Sequence, residues 1–150
     1  MSDPLLITCV AGRAASTFAR NLFEEIFCRH AIAPKLPLLE VTYLDGGATE
    51  IYGGDEDPIE TISFHRFGGD TFWAAIFELA RRTGSVVYWP GEPPWAAIVD
   101  SLIVEELPEG FKEPENGQPI LAANPKELEQ CFIRSREAAN RPNTFQPDER

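Results

Sequence analysis

The chain has 150 residues, of which 43% are hydrophobic and 25% charged, and its formal net charge is −11. A chain of this length and composition is too apolar to be disordered, buries roughly 70% of its unfolded surface and needs no disulfide or metal ion to fold. The negative charge disfavours nucleic acid and anionic membranes as partners, because both bind cationic surfaces.

The first half of the chain alternates between strand and helix patterns. Short apolar or alternating runs predict strands over 5–10, 38–44, 48–52, 59–67 and 85–89. Apolar stripes at helical spacing predict helices over about 14–31 and 70–83, with Asp70 as the N-cap of the second and Gly84 at its end. The side chains expected to be buried on these helices include Phe23, Ile26, Phe72 and Ile76.

The second half of the chain is less regular. It predicts a short strand over 95–99, a helical turn after Asp100 and a loop over 109–119. Asn124, Pro125 and Glu127 form a helix-start signature, and the helix should run to about Ala139. We expect one domain over residues 1–140, followed by a flexible tail over 141–150.

The element order over residues 5–89 is β-α-β-β-α-β. This order resembles the ferredoxin-like sandwich, in which two helices cover one face of a mostly antiparallel sheet. The predicted fold is therefore α+β and ferredoxin-like, with extra hairpin strands and a C-terminal helix. Folds of this kind serve many functions, so the resemblance assigns none.

The cysteines and the N-terminus indicate the compartment. Cys9, Cys28 and Cys131 are odd in number and widely spaced, which is typical of free thiols in a reducing environment. The first residues lack the cationic segment and apolar core of a secretion signal, and no apolar run approaches the ~20 residues of a membrane span. These features predict a cytoplasmic protein.

The negative charge is concentrated in two segments. Residues 40–60 hold seven acidic residues and no Lys or Arg, and residues 92–115 hold seven acidic residues against Lys112 alone. Such segments favour a basic protein partner, and the loop over 53–58 lacks the ligand spacing of a calcium-binding loop. The acidic residues expected to contact the partner are Asp55, Glu56, Asp57, Glu105 and Glu106.

Two tryptophans, Trp89 and Trp95, flank the proline-stiffened loop over 90–94. In one interpretation they stack across the neck of a hairpin or lie in the core. In the other, the stiff loop presents at least one of them to a partner, as tryptophan does at many interfaces. Both residues are therefore candidate partner-binding residues.

Catalytic motifs are absent from the sequence. It has two histidines, His30 and His65, and none of the common motifs for a nucleophile, a zinc site or a phosphate-binding loop. The Gly12-Arg13 turn could bind an anion if it opened a helix, but Ser16 or Thr17 could equally cap that helix. The sequence thus predicts a protein that is not an enzyme and that binds no metal and no cofactor.

The leading interpretation is an acidic inhibitor-type protein that neutralises a basic protein partner. A bacterial immunity protein or antitoxin, with a basic toxin enzyme as its target, would have this character. Two alternatives remain open at this point. One is a small-molecule-binding or catalytic α+β domain that uses the Gly12-Arg13 turn, and the other is an adaptor subunit that docks by its aromatic hairpin.

Overall fold

A computed structural model describes residues 4–113 and 117–139, so the predicted tail over 141–150 lies outside the described part of the chain. The described residues form an α+β fold with one eight-stranded sheet and three α-helices. The strands are β1 (Leu5–Ala11), β2 (Ala14–Ala15), β3 (Glu40–Thr42), β4 (Ala48–Tyr52), β5 (Thr61–His65), β6 (Ser85–Tyr88), β7 (Ala96–Ile98) and β8 (Ile120–Leu121). The helices are α1 (Arg20–Arg29), α2 (Asp70–Thr83) and α3 (Pro125–Ala139), and Ser101–Glu106 and Glu109–Phe111 are short 3-10 helices.

The apolar strand β1 lies in the middle of the sheet. It pairs antiparallel with β5 on one side and with β6 on the other, and the strand order is β3-β4-β5-β1-β6-β7-β8, with β2 paired to β1 alone. All paired neighbours are antiparallel except β7 and β8. The α+β class is confirmed. The specific ferredoxin-like topology is not, because further strands on both edges give the whole sheet a different order.

One face of the sheet forms the main core with α1 and α2. The Phe64 ring of β5 stacks on Phe27 of α1 at 5.5 Å and meets Phe72 of α2 edge-on at 5.8 Å. The four helix residues predicted to be buried have no exposed surface, and the stripes that predicted them therefore point inward. They are Phe23, Ile26, Phe72 and Ile76.

The opposite face of the sheet is covered in part by residues 99–113. Ile103 and Leu107 of this segment are buried, and the Phe111 ring packs against Tyr88 at 5.2 Å and Trp95 at 5.6 Å. The cover lies over β1, β6 and β7. The half of this face that belongs to β3, β4 and β5 is more open.

The first helix is shorter than predicted. It begins at Arg20, and Ala14–Ala15 pair back onto β1 as β2. The cause is a tight turn in which Gly12 and Arg13 both take left-handed backbone conformations, with φ of 59° and 66°. Residues with left-handed backbone angles cannot lead directly into a right-handed helix. The chain therefore forms a β-hairpin before α1 begins.

The N-terminus of α1 and that of α2 are each capped by a carboxylate that is distant in sequence. The Asp57 carboxylate accepts a hydrogen bond from the Arg20 backbone N–H (3.2 Å), and the Asp45 carboxylate accepts one from Thr71 (3.0 Å). Asp70, the expected N-cap of α2, is instead the first residue of that helix. Local sequence did not reveal these caps because the capping side chains lie 37 and 26 residues away.

Candidate functional site

Both acidic segments contact the chain around the end of β1. The Cys9 N–H donates to the Glu60 carbonyl (3.2 Å), while the Gly12 N–H donates to the Glu106 carboxylate and the Arg13 N–H to the Glu106 carbonyl. Cys9 and Gly12 are three residues apart, about 10 Å along a strand, so both segments lie around one strand end. We call this surface the acidic end, and its carboxylates are Asp55, Glu56, Asp57, Glu60, Glu105 and Glu106.

The backbone of the acidic end is firmly held. Ile59 exchanges two backbone hydrogen bonds with Phe18, at 2.8 and 2.9 Å. Gly54 lies so close to the Phe23 ring that a Cβ there would come within 2.8 Å of it. The Arg20 guanidinium donates to the Asp55 carbonyl (3.0 Å). The loop therefore presents its carboxylates from a fixed backbone position.

The six carboxylates of the acidic end have different roles. Asp57 caps α1, and the half-buried Glu106 closes the Gly12-Arg13 turn. The side chains of Asp55, Glu56, Glu60 and Glu105 are exposed, and no described residue forms an ion pair with any of the six. Four of them are thus free for a partner, while two hold the site together.

Few bases offset this charge locally. In the connection from β1 to α1 the basic residues are Arg13, which is exposed, and Arg20, which is ion-paired with Glu24 at 3.4 Å. The C-terminal end of α2 also lies beside the last residues of β1, since the Val10 N–H donates to the Gly84 carbonyl, and Arg82 near that end is ion-paired with Glu78 at 3.3 Å. Arg20 and Arg82 are thus engaged by acidic residues outside the acidic end.

The aromatic hairpin lies at the other end of the sheet. Tyr88, the residue before the hairpin loop, pairs with Leu6 near the start of β1, whereas the acidic end surrounds the last residues of β1. The length of β1, about 20 Å, separates the two regions. The predicted acidic residues and tryptophans therefore do not form one contact surface.

The two tryptophans differ in burial. Trp89 is 1% exposed and meets Phe132 of α3 edge-on at 5.6 Å, so the core interpretation describes it and it is not displayed to a partner. Trp95 is partly buried, against Phe111. It lines an apolar cavity of about 400 Å³ together with Leu6 and Tyr88.

The anion-site interpretation of the Gly12-Arg13 turn does not hold. The turn closes a β-hairpin and does not open a helix, and both of its backbone N–H groups are bonded to Glu106. A phosphate or carboxylate needs free N–H groups at such a turn. The Arg13 side chain is left exposed on the acidic end.

The three thiols are free and unreactive in character. Burial raises the pKa of Cys9, Cys28 and Cys131 above its ordinary value, which keeps each of them protonated. The Cys9 Sγ also donates to the Thr83 carbonyl at 3.1 Å. Among the described residues, no group of three or more His, Cys, Asp or Glu side chains is placed to hold a metal ion.

Sequence reasoning missed a row of polar side chains on the face of the sheet opposite the helices. The Thr8 hydroxyl lies 2.8 Å from that of Thr61 and 2.9 Å from that of Tyr88. On the same face, His65 Nε2 lies 3.3 Å from the Ser63 hydroxyl. The sequence signal for this row was the Thr and Ser residues at alternate positions of the predicted strands. Their alignment depends on the pairing register, which the sequence does not state.

Comparison with protein-family models, with curated proteins and with solved structures finds no match. Within the described ranges, no helix combines the length and the apolar character needed to cross a membrane.

Proposed function

We propose that this protein is an inhibitor-type binding domain that neutralises a basic protein, such as a bacterial toxin enzyme, by placing the acidic end in a cationic cleft of that partner. The observation that supports the proposal is that two acidic segments, distant in sequence, both form hydrogen bonds with the chain around the end of β1. In this proposal the protein acts in the cytoplasm as an immunity protein or antitoxin, where its free thiols persist.

The exposed charge of this surface favours fast and selective association with a cationic partner. Exposed carboxylates such as Asp55, Glu56 and Glu105 attract a cationic partner before contact, which can raise the association rate constant by roughly 10- to 1,000-fold at low salt. Because Asp57 and Glu106 fix the loop backbones, little conformational entropy is lost on binding. A rigid anionic surface is what a tight inhibitor of a basic enzyme requires.

We also propose that the centre of the fold is a ferredoxin-like unit enlarged at both edges. In this view β1, β4, β5 and β6, with α1 and α2, are the six elements of the unit, and β2, β3, β7 and β8 are additions. The split arrangement in which β5 and β6 flank β1 supports it. The fold supplies a rigid frame for the proposed function and does not by itself select it.

The test is a pair of charge reversals with equal change in net charge. D55K/E56K alters the acidic end, and E92K/E137K alters exposed acidic residues elsewhere. A partner captured from the native host and then purified is mixed with each variant in a stopped-flow instrument at low and at high salt. D55K/E56K should lower the association rate constant by about tenfold at low salt, while E92K/E137K should change it by less than about twofold. The proposal is rejected if the association rate constant does not depend on the salt concentration and changes equally in both variants.

A further inference from the structure

The outer edge of β3 is a sheet edge with unpaired backbone groups. In an antiparallel pair, successive residues direct their N–H and C=O groups alternately toward and away from the neighbouring strand. The Ile51 N–H donates to the Leu39 carbonyl (2.8 Å) and the Tyr43 N–H to the Gly47 carbonyl (2.7 Å), so residues 39, 41 and 43 bond toward β4. Glu40 and Thr42 therefore direct their backbone groups outward.

Only part of this outer edge is covered. The Ile32 N–H donates to the Thr42 carbonyl (2.8 Å), and the Leu44 N–H donates to the His30 carbonyl (3.0 Å). At Ala33 the backbone becomes left-handed (φ 47°), and the pairing stops there. Since Ile32 lies opposite Thr42, the Thr42 N–H faces that residue, and the Glu40 N–H and C=O are the outward groups left without a partner among the described residues.

A groove runs along these free groups. Its volume is about 490 Å³, within the roughly 300–1,000 Å³ of ligand pockets, and it lies between β3 and the loop that follows α1. Large apolar side chains beside it are more than half exposed, namely Ile32, Leu36 and Leu39. An unprotected edge beside exposed apolar side chains is unusual in a stable monomer.

We propose that this groove binds an extended segment of a partner protein as an additional β-strand, and that the segment places a Lys or Arg opposite Glu40. The outward N–H and C=O of Glu40 supply two hydrogen bonds for strand addition. Glu40 is exposed on one face of the edge, and Leu39 lies on the other face by strand alternation. The fitting segment thus alternates basic and apolar residues, with its bases toward Glu40.

A second copy of the chain fits this edge less well. Each copy would bring its own loop over 33–37 against the other, whereas a single extended segment occupies the space between the loop and β3. Both copies would also carry a net charge of −11, which opposes their association. The groove is separate from the acidic end, since β3 lies three strands away from β1, so this inference does not depend on the proposed function.

The test uses a fluorescent eight-residue peptide of alternating Val and Lys, and a matching peptide of alternating Val and Glu, in anisotropy titrations. The wild-type protein should bind the Lys peptide more tightly. Glu40→Lys should weaken Lys-peptide binding by about two- to tenfold and strengthen Glu-peptide binding by a similar factor, because opposed charges form one cross-strand pair. Such a reversal cannot arise from unfolding, and Glu40→Gln should be intermediate for both peptides.

Hydrogen exchange locates the contact. Bound peptide should protect the Glu40 amide, while the amide of Val41, already directed toward β4, should change little. A Lys peptide N-methylated at alternate residues cannot donate these bonds and should bind at least fivefold more weakly. The inference is overturned if the Glu40 amide stays unprotected, if both Glu40 variants bind both peptides as the wild type does, or if the wild-type protein sediments as a dimer that Glu40→Lys makes monomeric.

Discussion

The sequence predicts two partner surfaces, the acidic end and the aromatic hairpin. In the fold they differ in the exposure of the residues predicted to bind. At the acidic end the carboxylates of Asp55, Glu56 and Glu105 stay exposed. At the hairpin Trp89 turns into the core against Phe132. A charged side chain has one stable location, at the surface, whereas a tryptophan has two, and its sequence neighbours do not decide between them.

The energetics explain this asymmetry. Burying an unpaired carboxylate is far more costly than leaving it in water, so acidic residues are dependable markers of surface. Trp89 buries a large apolar ring even though its Nε1 finds no acceptor among the described residues. The unmade hydrogen bond costs about 1–3 kcal/mol, and burial of the ring offsets it.

The largest effect should come from Trp89→Ala. Removing this ring leaves a cavity beside Phe132, so the free energy of unfolding should fall by about 3–5 kcal/mol, measured by urea denaturation. A loss below about 1 kcal/mol would show that Trp89 is not a core residue and would restore it as a candidate interface residue.

Trp95→Ala is the matched comparison at the other side of the same loop. Trp95 is partly buried and contacts Phe111, so its removal should cost about 1–2 kcal/mol in the same assay. The two values are expected to differ by at least about 1 kcal/mol. Equal losses would mean that the hairpin is stabilised as a unit and that burial does not distinguish its two tryptophans.

Much of the fold was predictable because it follows from local periodicity. The stripe through Phe23 and Ile26 and the stripe through Phe72 and Ile76 predicted buried helix faces correctly. The predicted start of α1 was wrong because the backbone at Gly12 and Arg13 is fixed by Glu106, which lies 93 or more residues away in sequence. The position of both acidic segments at the end of β1 likewise depends on tertiary contacts that no spacing in the sequence states.

Within the acidic end, a smaller effect separates the structural carboxylate from a free one. Asp57→Ala removes the cap of α1 and should lower the free energy of unfolding by about 0.5–2 kcal/mol. Asp55→Ala, two residues away, should change it by less than about 0.5 kcal/mol because the Asp55 side chain is exposed and only its carbonyl binds Arg20. Equal losses in the two variants would contradict the assigned cap.

The end of the sheet opposite the acidic end has its own capping carboxylate, Asp45, whose effect depends on pH. The backbone N–H groups of Thr71 and Gly47 donate to this carboxylate and lower its pKa below the ordinary value of 3.8. A depressed pKa in the folded state means that the carboxylate stabilises the fold above about pH 4, and that this contribution is lost as the pH falls through the folded-state pKa. Asp45→Asn should therefore be less stable than the wild type at neutral pH, and the difference should shrink in acid. Asp70→Asn, at the position that local sequence favoured as the cap, is the matched control and should lower the free energy of unfolding at neutral pH by less than Asp45→Asn does, measured by urea denaturation. If Asp70→Asn lowered it as much as Asp45→Asn or more, the remote cap would be wrong.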